Sequence, residues 1–100
     1  MEHSTRTLER PGFLYDPESD AEAYVLVFLV ETRNGWGGRI FPAEGQIGWR
    51  AFESAEQLHL RLQDDEPRRV ALLPETVAAE GEAGRRFEGI GAAPPLLHRA

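Results

Sequence analysis

One hundred residues, 41% of them apolar, with a formal charge of −6, make a single domain with a modest core. The chain has no cysteine, which excludes disulfides, thiolate zinc sites, iron–sulfur clusters and cysteine nucleophiles. All eleven basic residues are arginine, as a GC-rich bacterial genome would give. Without lysine there is no Schiff base, lysine general base or P-loop lysine, and the acidic balance argues against generic binding to nucleic acid or anionic membranes.

In chain order, residues 1–22 are polar and acidic apart from Phe13-Leu14-Tyr15 between Pro11 and Pro17. They read as a partly ordered arm that docks through those three residues. The segment has no apolar core of a signal peptide, and a cytoplasmic location is expected. Residues 23–32 are rich in β-branched and aromatic residues and form the clearest strand. Tyr24, Leu26, Phe28 and Val30 point to one face, and Val25, Val27 and Leu29 to the other. Both faces are apolar, so the strand is central or a partner covers one side. At eight residues, "AYVLVFLV" is too short to span a bilayer.

Asn34-Gly35 then reads as a turn, followed by shorter strands over residues 38–42 and 46–52, separated by "AEGQ". Pro42 cannot donate a ladder hydrogen bond and belongs at a strand end. "SAEQ" at 54–57 has the form of a capping box, and Ala55, Leu58 and Leu62 fall on one helical face. "LHLRLQ" also alternates, with Leu58, Leu60 and Leu62 on one side, as a strand would. The cap favours helix, which Pro67 ends by Asp65. "RRVALLP" adds a fourth strand over 68–73, "PETVAAEG" opens a helical turn at Pro74, and residues 81–100 read as a flexible tail.

The chemistry-bearing candidates are thin. "NGWGGRIF" has the parts of a phosphate loop, but a strand rather than a helix follows the glycines, and a Walker loop needs lysine. Asp16, Glu18, Asp20 and Glu22 alternate as calcium ligands do, yet positions six and twelve of such a loop would be Ala21 and Val27. His3, His59 and His98 show no ligand spacing, and Ser54 reads as a helix cap. No metal site or cofactor is expected. Arg33, Trp36, Arg39, Phe41, Trp49, Arg50 and Phe52 interleave arginine with aromatics, as surfaces that stack unpaired bases do. Trp36 flanked by Arg33 and Arg39 better suits a protein-binding loop, since tryptophan and arginine are favoured interface anchors.

The segments "YVLVFLVE", "GGRI", "WRAF" and "SAEQLHLRL" together resemble a recurring small bacterial module of three strands and a capped helix, over about forty residues. That module is of largely uncharacterised function. The resemblance therefore implies a fold and no activity.

These readings converge on a two-layer α+β domain over residues 23–80: a three- or four-stranded, mainly antiparallel sheet with one helix packed on one face. The expected function is a non-enzymatic interaction or assembly module, self-associating as a homodimer through the face of Val25, Val27 and Leu29. Arg33, Trp36 and Arg39 form the second candidate contact. Single-stranded nucleic-acid binding, and a small-ligand or accessory enzyme subunit, are the alternatives; neither a membrane nor a small molecule is an expected partner.

Overall fold

The computed structural model describes residues 7–33, 35–45, 47–74 and 84–98. Six strands follow one another: β1 (Leu8–Tyr15), β2 (Glu22–Thr32), β3 (Gly35–Pro42), β4 (His59–Leu62), β5 (Arg68–Leu72) and β6 (Arg85–Ile90). A short helix, α1 (Trp49–Glu53), lies between β3 and β4, and a 3-10 turn spans Pro95–His98. All neighbours pair antiparallel, in the order β1-β2-β3-β6-β5-β4, and β4 pairs back onto β1 to close a barrel. Two three-stranded meanders thus join edge to edge, with α1 on the connection between them.

This closed barrel replaces the expected two-layer α+β sheet with its packed helix. Leu8–Tyr15, read as part of an arm, is a strand paired on both sides, with β2 and β4. Pro11 is tolerated in it for a local reason. Its carbonyl accepts from the Gln63 N–H, beyond the paired stretch Gly12–Tyr15, so the missing N–H faces the side where the β4 ladder has already ended. Residues 85–90, read as tail, form β6 between β3 and β5. The helical turn expected over 74–81 falls mostly outside the described residues.

The middle of the chain is rearranged too. "WRAF", expected as strand, is the helix, anchored by the buried Phe52. Its N-cap, Gly48, makes no side-chain cap bond, so packing rather than capping holds this short element. Ser54 is the C-cap of α1 instead of opening a helix. Leu58, Leu60 and Leu62 are buried with β4 spanning His59–Leu62, so the period of two prevailed over the capping box.

Interior-facing residues fill the barrel. Val25, Val27 and Leu29 of β2 meet Leu14 of β1, Ile40 of β3, the leucines of β4, Val70 of β5 and Phe87 of β6, and Leu97 of the 3-10 turn joins them. Trp36 is also interior, its indole lying over Gly89, where a Cβ would come closer than 3.0 Å to three ring atoms. The Trp36 Nε1 donates to the Gly91 carbonyl at 3.3 Å. The glycines of "GWGG" are therefore not all turn residues. Gly38 sits inside β3 with φ +148°, and a Cβ there would overlap the Phe28 carbonyl of the neighbouring strand.

Candidate interaction face

In an antiparallel barrel, alternate residues must face outward, and on most of this exterior they are polar or charged. Glu88 and Arg86 on β6 and Arg69 on β5 are exposed. The exterior of β1–β2–β3 differs. Its cross-strand rows read Phe13–Tyr24, then Pro11–Leu26–Phe41, then Glu9–Phe28–Arg39. Tyr24 is 74% exposed, the largest value among large apolar side chains in the described residues.

The rings are organised. Phe13 lies 4.9 Å from Tyr24 and 5.6 Å from Tyr15, centroid to centroid. Tyr15 stacks on His59 of β4 at 5.3 Å and 14°, and the Arg61 guanidinium sits 5.9 Å from the centroid of Phe13. Phe28 meets Phe41 edge-on at 5.2 Å. A shallow groove of about 450 Å³ is lined by Phe13 and Tyr24, by Arg61, and by Asp64 and Asp65 of the β4–β5 turn.

Two carboxylate-centred clamps fix turns at opposite ends of the barrel, since β4 runs antiparallel to β1 with His59 opposite Tyr15 and Leu62 opposite Gly12. In the β1–β2 loop, Asp16 accepts from the Glu18 N–H at 3.0 Å and the Ser19 hydroxyl at 2.8 Å, and these bonds hold its carboxyl below the ordinary 3.8. In the β4–β5 turn, Asp65 accepts two bonds from Arg68, at 2.7 and 2.9 Å, and is likewise lowered, chiefly by that bidentate contact. Arg68 is shifted upward by the same contact and also donates to the Ala92 carbonyl at 3.2 Å.

Comparisons with protein-family models, with curated proteins and with solved structures gave no match. Among the described residues no helix is long and apolar enough to cross a membrane, and no cluster of three histidine, aspartate or glutamate residues could hold a metal ion.

The residues singled out from sequence are dispersed. Val25, Val27 and Leu29 lie in the core at 1% exposure or less, so they offer no docking surface in the folded barrel. Trp36, expected to be displayed by a hairpin loop, is 2% exposed, because the glycines around it let β3 and β6 close over the ring. Arg33 and Arg39 are exposed, Arg39 directly opposite Arg86 on β6. The wider arginine–aromatic set does not assemble either. Phe52 is buried, and Trp49 is half-buried beneath the guanidinium of Arg85 at 5.8 Å, which itself pairs with Glu53 at 2.8 Å.

What sequence reasoning passed over is the other face of the same strand. Tyr24, Leu26, Phe28 and Val30 were legible as an apolar face, but assigning the partner to that side required the barrel's handedness and closure. The contributions of Phe13, Tyr15 and Arg61 depend on β1 being a strand, which Pro11 and Gly12 disguised.

Proposed function

We propose that the chain is a non-enzymatic interaction module, and that the outer face of β1–β2–β3 docks another polypeptide. The observation that supports this reading is the ring-rich strip in which half-buried Phe13, Phe28 and Phe41 accompany the exposed Tyr24, on a barrel whose interior is already filled by its own side chains. An apolar strip of a few hundred Å² is the scale of the largest patch on a typical monomer, and such patches are often functional. Closure pairs each strand with a neighbour on both sides over part of its length, and the contact is made through outward side chains rather than by adding a strand. A bacterial cytoplasmic setting fits the composition.

Site-specific photocrosslinking in the native cell tests this directly. A photoreactive phenylalanine analogue replacing Tyr24 or Phe28 should give a discrete crosslinked polypeptide. The same analogue replacing Arg69 or Glu88 should not. Equal or absent crosslinking at both sets of positions would overturn the proposal.

A further inference from the structure

The docking face is asymmetric in charge, and its asymmetry identifies a chemical class of partner. Exposed carboxylates flank the strip at both ends: Glu22, two residues before Tyr24 on β2, with Glu18 and Asp20 in the β1–β2 loop beyond it, and Asp64 of the β4–β5 turn, which lines the same groove as Tyr24 and Phe13. Two basic residues share the face: Arg39, which stands opposite Phe28 in the row farthest from Tyr24, and Arg61, which lines the groove and lays its guanidinium against Phe13. Tyr24 presents its ring beside that contact with most of its surface free. An aromatic surface flanked by carboxylates attracts a cation twice, through the ring quadrupole and through ion pairing. Resting on the docking role proposed above, we infer that the occupant is a cationic segment of another protein, seating an arginine or lysine side chain in the groove between Tyr24 and Asp64.

Size and net charge select a segment over a second copy of the chain. Eight residues of strand at about 3.4 Å each, across three strands about 4.8 Å apart, present a strip of about 400 Å². A stable interface between folded proteins buries about 800 Å² on each partner. The strip suits a short peptide. Two copies would also each bring a charge of −6 to the contact, which opposes self-association. The same carboxylates repel a nucleic-acid backbone, although its bases could stack on the rings.

Fluorescence anisotropy with a short labelled arginine-rich peptide, on the full chain, tests the inference. Length-matched neutral and glutamate-rich peptides and a single-stranded oligonucleotide serve as the other probes. The arginine peptide should bind, and more weakly as sodium chloride is raised. Tyr24→Ser should lower its affinity about two- to fivefold, and Asp64→Asn should lower it and flatten the salt dependence. Asparagine is chosen at 64 because φ there is +64° and asparagine tolerates that state. Arg69→Ser, on the other side of the barrel, should change nothing, and circular dichroism on each variant checks that the fold is kept.

Equal binding of the neutral or acidic peptide, or tighter binding of the oligonucleotide, overturns the cationic assignment. So does a dimer in sedimentation that Tyr24→Ser dissociates, although that result would keep the face as the docking surface. A monomer that binds none of the probes overturns the assignment as well, and the crosslinking at positions 24 and 28 then decides separately whether the face docks anything.

Discussion

Replacing Gly89 by alanine should destabilise the barrel by a margin set almost wholly by Trp36. The added methyl would lie closer than 3.0 Å to three atoms of the indole, so ring or strand must shift by roughly an ångström and a half to restore ordinary contact. The ring has little room to retreat, being 2% exposed and packed edge-on against Phe87 at 5.9 Å. Overpacking of this kind costs about 1–3 kcal/mol, and a displaced ring also weakens the Nε1 bond to the Gly91 carbonyl, worth about 1 kcal/mol. The smaller conformational entropy of alanine in the unfolded chain returns up to about 1 kcal/mol. The net expectation is a loss of about 2–3 kcal/mol. Urea unfolding followed by far-ultraviolet circular dichroism measures it without relying on tryptophan emission. Trp36→Ala alone should cost about 3–5 kcal/mol. Combined with Gly89→Ala it should cost less than the sum, by about 1–2 kcal/mol, because the clash has gone. Additive costs, or a Gly89→Ala variant within about 0.5 kcal/mol of the parent, would refute the packing of Trp36 on Gly89.

Other consequences follow from the same geometry. Val27→Glu places a carboxylate in the filled interior and should unfold the domain, whereas Tyr24→Ser on the outside should cost only about 1 kcal/mol, chiefly the ring contact with Phe13; chemical denaturation of both separates the two faces of β2. Gly38→Ala should be strongly destabilising in the same assay, because the φ of +148° and the Phe28 carbonyl both oppose a side chain. Asp65→Asn should cost about 1–3 kcal/mol near neutral pH, since it breaks the charged bidentate bond to Arg68. Asp16 and Asp65 both have folded-state values below 3.8. Their stabilisation is therefore complete above that value and lost as pH falls through the lowered ones. The doubly substituted Asp16→Asn, Asp65→Asn chain should accordingly lose less stability than the parent on acidification below about pH 4.

How far the fold could be read from the chain depended on whether local pattern and closure agreed. Residues 23–32 and 68–72 carry uninterrupted strand chemistry, and there the sequence expectation matches β2 and β5. β1 contains Pro11 and Gly12, and β6 contains Arg85, Arg86 and Gly89, so both look like loop when taken locally. Each is explained only by a neighbour: Pro11 by the end of the β4 ladder, Gly89 by the ring that covers it. Arg85 reads as a surface residue, yet it is 5% exposed, because Glu53, the Leu73 carbonyl and the face of Trp49 satisfy it. For residues 54–62 two local signals competed, and burial of three leucines outweighed one capping box.

The candidate site was half legible. That one apolar face of residues 23–32 would need a cover follows from alternation, but closure turned Val25, Val27 and Leu29 inward and left Tyr24, Leu26 and Phe28 as the side to be covered. The carboxylates of residues 16–22, which alternate evenly in the sequence, are of two kinds in the fold. Asp16 is buried in the loop it organises, while Glu18, Asp20 and Glu22 remain exposed. Spacing in the sequence does not distinguish them.

Hydroxyl-radical footprinting of Tyr24, Leu26 and Phe28, on the purified chain and again on the chain in extract of its native cell, bears most directly on whether the outer face of β1–β2–β3 is occupied. These side chains should oxidise readily in the purified protein and be protected in the extract, while Ile90 on β6, 42% exposed, reacts equally in both. Unchanged oxidation of all four in the extract would contradict a docking role for this face.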